Sequence, residues 1–105
     1  MQVERTHHID TSVPDGAGLH EYHYEYDLFH FSDGVLRFTV RSYVDQPSEA
    51  HFLRIEVRGK SRLMADPDLA QPLFLSASNY LQAQGKRDLR WLISRGNGYE
   101  TVSRT

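Results

Sequence analysis

The sequence predicts an α+β fold: an antiparallel sheet of about five strands in the order β-β-β-α-β-β, with one helix packed on its apolar face. Three observations predict it. Residues 20–31 and 35–44 both alternate, around a Ser32-Asp33-Gly34 break. Residues 69–81 carry apolar side chains at helical spacing, ahead of Gly85. Residues 89–93 alternate again before Asn97-Gly98, a strong short hairpin signal.

The elements follow in chain order. Residues 1–18 read as an arm or a short strand, and residues 19–105 as a single α+β domain. Val3, Ile9 and Val13 share a parity, which allows an extra N-terminal strand, and VPDGAG at 13–18 has turn chemistry. The first hairpin turns at Ser32-Asp33-Gly34. A two-residue loop would place Phe38 against Phe29 but put Tyr22, Tyr24 and Tyr26 on the arginine face. A three-residue loop instead sets Leu28 against Phe38, Tyr26 against Val40 and Glu25 against Arg41, with glycine in a left-handed position. The pairing of both faces predicts the three-residue loop.

The third strand, 50–58, offers Leu53, Ile55 and Val57 as its apolar face. It pairs Val40 with Leu53, Phe38 with Ile55, Arg37 with Glu56 and Thr39 with Arg54. Asp66-Pro67-Asp68 is a helix-start signal, but Pro72 requires the helix proper to begin near 69–72, with 66–69 as a separate turn. Leu69, Leu73, Phe74, Ala77, Tyr80 and Leu81 share one helical face, from which Leu75 points away. In the last hairpin Leu89, Trp91 and Ile93 alternate, and a turn at Asn97-Gly98 sets Arg95 against Glu100 and Ile93 against Val102.

The 105 residues suffice for one domain with a modest core, and 39% hydrophobic with 25% charged residues places the chain among globular proteins. There is no cysteine, so disulfides, thiolate metal sites and thiol nucleophiles are excluded. No apolar run has the length of a membrane span, and the start, MQVERTHHIDTS, lacks the pattern of a signal peptide, so the expected location is cytoplasmic with no membrane partner. The net charge of −2 is uneven: residues 1–33 carry seven acids and only Arg5, together with five of the six histidines. Nothing resembles the overall basic charge of a nucleic-acid binder, so nucleic acid is not an expected partner.

Candidate chemistry is sparse. His23, Glu25 and Asp27 alternate on one strand face and have metal-ligand chemistry, but the predicted register presses arginines against the acids, which favours a charge ladder. Neither a metal nor a cofactor is expected. Tyr22, Tyr24 and Tyr26 would form a core layer under the helix or line a groove beside it, and His23 would lie opposite Tyr43 without a charge partner. These five are the candidate binding residues. Arg58, Lys60 and Arg62 form a candidate anion patch, for which solubilising charge is the plainer explanation. The Gly59-Lys60-Ser61 triplet is no phosphate loop, because Arg54 occupies the position where that motif needs glycine. There is no Gly-x-Ser-x-Gly elbow, and His20-Glu21-Tyr22-His23 is one residue short of a zinc-protease helix motif. No catalytic residue is therefore assigned.

The element order resembles small acidic bacterial chaperones and other α+β adaptor modules, a likeness of fold with no motif behind it. The expectation is a small non-enzymatic binding module whose partner is another protein, of inhibitor, immunity or adaptor type. The alternative is a small-molecule binder or enzyme using a groove between the tyrosine-bearing face and the helix. A homodimer is the third expectation, since a meander leaves edge strands needing cover.

Overall fold

The computed structural model describes residues 1–11, 23–93 and 98–102. Its strands are β1 (Gln2–Thr11), β2 (His23–Ser32), β3 (Leu36–Tyr43), β4 (Glu49–Val57), β5 (Lys60–Arg62), β6 (Asp88–Leu92) and β7 (Tyr99–Thr101). A 3-10 turn (Asp66–Ala70) and one helix, α1 (Pro72–Ala83), lie between β5 and β6. The fold is mixed α+β, with a seven-stranded sheet ordered β1-β2-β3-β4-β6-β7 and β5 attached to β4.

Two features depart from the purely antiparallel sheet of about five strands. First, β6 runs parallel to β4, with Phe52 opposite Trp91. After β5 has reversed along β4, the 3-10 turn and α1 return the chain to the starting end of β4, so β6 enters beside Glu49 and runs with β4 and against β5. Second, Arg58-Gly59 closes a tight hairpin between β4 and β5, pairing Val57 with Lys60. Both loop residues have positive φ, 52° and 84°, the geometry that suits a two-residue hairpin. The two additions share one side of β4: β5 takes Ile55–Val57 and β6 takes Glu49–Phe52.

The first hairpin corrects the predicted register. Phe31 faces Phe38, Phe29 faces Val40 and Tyr26 faces Tyr43. The glycine is not the last loop residue but the first of a Gly34-Val35 pair. Its φ of +95° fits the position that a type II′ turn reserves for glycine. Asp33 fixes the turn by accepting hydrogen bonds from the amides of Val35 and Leu36, at 2.9 and 2.8 Å. The shift inverts the two faces of β2. Phe29 and Phe31 are fully buried while Tyr24 is 50% exposed. Phenylalanine buries without polar cost, whereas a buried tyrosine must satisfy its hydroxyl.

In β4 the predicted pairs Phe38–Ile55, Leu36–Val57, Arg37–Glu56 and Thr39–Arg54 are present. The register then shifts at Thr39/Val40, so that Phe52 rather than Leu53 meets Val40. The core gathers on one side of the sheet. There Phe74 of α1 lies edge-on to Phe38 at 5.7 Å and against Phe52 at 4.5 Å, and Tyr80 lies edge-on to Phe31 at 5.5 Å. Leu73, Ala77 and Leu81 complete the buried helix face, and Leu75 points outward. Gly85, at φ +87°, follows the helix end as expected.

Asp68, not Asp66, secures the approach to the helix. Its carboxylate accepts the Ala65 amide at 2.7 Å and a two-pronged contact from Arg62 at 2.8 and 2.9 Å. In the last hairpin Glu100 faces Trp91 and Tyr99 faces Leu92, rather than the predicted Arg95–Glu100 and Ile93–Val102 pairs. Arg95 and Asn97 lie outside the described residues. The N-terminal strand is present, pairing with β2 from Gln2–Ser32 to Thr11–His23.

Candidate functional site

Because α1 covers one face of the sheet, the side chains of the opposite parity form an uncovered face. From β2 these are Tyr24, Tyr26, Leu28 and His30; from β3, Arg37, Thr39, Arg41 and Tyr43. A contiguous strip of rings crosses this face. His8 stacks on Tyr26 at 5.4 Å, and Tyr26 meets Tyr43 edge-on at 5.8 Å. Tyr24 approaches the same ring at 5.9 Å. The Arg41 guanidinium lies over Tyr43, 4.8 Å from the ring centre, and donates to the Tyr99 hydroxyl at 3.0 Å. Tyr99 in turn packs on His51 at 4.6 Å.

Arg41 is set apart by a buried guanidinium nitrogen, since the other described arginines without an ion pair, Arg54, Arg58 and Arg87, are exposed. Among the described residues Arg90 is paired with Asp88 and Glu49, Arg62 with Asp68, and Arg5 with Asp27. Arg41 lies over the Tyr43 ring and donates to the Tyr99 hydroxyl, and its Nε is buried without a hydrogen-bond partner. His51, its neighbour across the β3–β4 ladder, has Nδ1 in the same condition. Burial pulls the His51 pKa below its ordinary value, against the hydrogen bond that its Nε2 donates to Glu49. Burial also pushes the Tyr43 hydroxyl upward. With Nε2 donating to Glu49, the neutral ring leaves Nδ1 as an acceptor, so a buried donor and a buried acceptor lie side by side without partners, which calls for an explanation.

At one end of the strip a cleft of about 200 Å³ is lined by His23, Tyr24, Glu25, Tyr43, Val44 and Asp45. It brings together His23, Tyr24 and Tyr43 of the candidate binding residues. His23 was paired with Tyr43 through a register the chain does not adopt; they meet because both lie at the same end of the β2–β3 ladder. Tyr26 joins through its ring contacts, and Tyr22 lies outside the described residues. Tyr24 and Tyr26 lie on the face opposite α1, so no groove runs between them and the helix. Sequence reasoning assigned Arg41 to the charge ladder, weighed His8 only as one of the histidines lying amid acids, and missed Tyr99 and His51. The parity of Arg41 and Tyr43 was available as a signal once Phe29 and Phe31 were set inward.

The acids of β2, Glu25 and Asp27, have other work. On the helix side of the sheet, Asp27 accepts from Arg5 at 2.7 Å and contacts His7 Nδ1 at 2.7 Å, while Glu25 contacts His7 Nε2 at 2.8 Å. Among the described residues no three histidine or acidic side chains converge as metal ligands. Of the candidate anion patch, Arg58 sits in the β4–β5 turn, Lys60 is exposed on β5, and Arg62 is engaged by Asp68. No described helix is long and apolar enough to cross a membrane. Comparison with protein-family models, curated proteins and solved structures finds no match for this chain.

Proposed function

We propose that this chain is a small protein-binding module, of inhibitor, immunity or adaptor type, that receives its partner on the uncovered face of the sheet. The carrying observation is Arg41: a guanidinium held between Tyr43 and Tyr99 with a buried, unpartnered Nε and no carboxylate among the described residues. A partner presenting an acidic side chain there, with an apolar or aromatic neighbour laid on Tyr26 and Tyr43, would satisfy the charge and cover the rings. Tyrosine and arginine are the side chains that dominate such contacts, because they bury large area while keeping a polar end. The chain's uneven charge supports electrostatic steering of the approach.

The test is affinity capture with the purified chain at low and high salt, with Arg41→Ala and Tyr43→Ala beside the wild type and Leu75→Ser as a control on the opposite side. The expected result is a partner retained by wild type and Leu75→Ser, lost with both strip variants and weakened by salt. A partner held equally by all four proteins would overturn the assignment to this face.

A further inference from the structure

The outer edge of β1 carries an inference independent of the aromatic strip. In the β2–β3 ladder the Val44 amide donates to Glu25 and the Asp33 amide donates to Leu36, so the odd-numbered residues of β2 turn their backbone groups toward β3. The even-numbered ones therefore face β1, where they meet Gln2, Glu4, Thr6, His8 and Asp10. It follows that Val3, Arg5, His7 and Ile9 direct their backbone N–H and C=O groups to the outside of the sheet, where no described strand pairs with them. This edge is ten residues long, has no register shift, and contains neither proline nor lysine, the usual devices that block pairing.

We infer that β1 is the homodimer interface: two copies pair antiparallel along this edge, about a two-fold axis at Thr6. Strands related by a two-fold axis normal to the sheet keep their faces, so residues of equal parity meet, which is also what the outward odd-numbered backbone groups require. Centring the axis on Glu4 or Arg5 opposes like charges at the centre, and centring it on His7 sets Glu4 against Asp10. Centring on Thr6 sets Val3 against Ile9 of the second copy and Glu4 against His8 of the second copy. The first is an apolar pair using Ile9, 62% exposed in the single chain; the second places a carboxylate across from an imidazole. Arg5 meets His7 of the second copy, each already held by Asp27 of its own chain. The resulting continuous sheet carries both helices on one side and both aromatic strips on the other.

The absence of native cysteine makes the test clean. Thr6 turns its own backbone groups toward β2, so the two Thr6 residues form a non-hydrogen-bonded pair with Cα atoms about 4.5 Å apart, within disulfide reach. Sedimentation equilibrium is expected to give twice the 12.2 kDa chain mass. Thr6→Cys should oxidise to a covalent dimer, while Asp10→Cys, whose counterpart lies far along the strand, should not. Ile9→Pro removes an outward amide without breaking a β1–β2 bond, and should halve the mass while leaving the circular dichroism unchanged. A single-chain mass at all concentrations, a dimer that survives Ile9→Pro, or equal crosslinking at positions 6 and 10 would overturn the inference.

Discussion

The histidines of this chain have separate roles set by their neighbours. His7 has both ring nitrogens on carboxylates, and the hydrogen bonds to Asp27 and then Glu25 raise its pKa above the ordinary 6.5. A raised folded-state pKa contributes stability that is fully present below the unfolded value and is lost as pH rises through the folded one. His51 and His30 are depressed by burial and act oppositely, opposing folding once pH falls low enough to charge them in the unfolded chain. Two outcomes follow. An NMR titration should place the His7 midpoint above 6.5 and those of His30 and His51 below it. His7→Gln should lower the denaturation midpoint more at pH 6 than at pH 9; an equal loss at both would show that His7 does not act through its charge. Asp68, buried beneath Arg62, is the corresponding acid. Its carboxylate is held below the usual range by Arg62, and Asp68→Ala should cost about 1–3 kcal/mol in urea unfolding at pH 7. Arg58, in the left-handed region at φ 52°, gives a change of opposite sign: Arg58→Asn should stabilise by about 0.5–1 kcal/mol in the same assay.

At the scale of elements, β2 carries the main lesson about what a single sequence reveals. Its alternation was plain, but alternation alone offers two faces and does not say which is inward. Tyr22, Tyr24, Tyr26 and Leu28 outnumber Phe29 and Phe31, and counting apolar positions chose the tyrosines. Two deeply packed phenylalanines outweigh them, because each buries its whole ring with no hydroxyl to satisfy. Phe29→Ala should therefore cost about 3–5 kcal/mol while Tyr24→Ser stays within about 1 kcal/mol. The reverse order in thermal melts would restore the rejected register. The helix was legible because Pro72, Gly85 and a continuous apolar stripe agree with one another. The parallel strand β6 was not, since strand direction depends on where the crossover lands rather than on any residue within the strand. The strip around Arg41 was hidden for the same reason as the face of β2: once the register moves, its rings leave the core and appear together outside.

At the scale of the whole molecule, the sheet is larger than its cover. The radius of gyration is 15.1 Å, against about 13 Å for a compact chain of this length, and the long dimension is 50 Å. One helix of twelve residues packs over the phenylalanines, while the far end of the β1–β2 ladder reaches beyond it, with Ile9 and Tyr24 exposed on opposite faces. That end is held by the ladder itself, by the Arg5–Asp27–His7–Glu25 contacts on one face and by the rings of His8, Tyr24, Tyr26 and Tyr43 on the other, and the buried core does not extend to it. Such a segment opens at lower free energy than the rest. Amide protons should report it as a gradient along β2, slow to exchange at Phe29 and Phe31 and progressively faster toward Tyr24. The chain would then consist of a rigid block and a hinged flap made from the same two strands, able to open and close without unfolding the block to which it is attached.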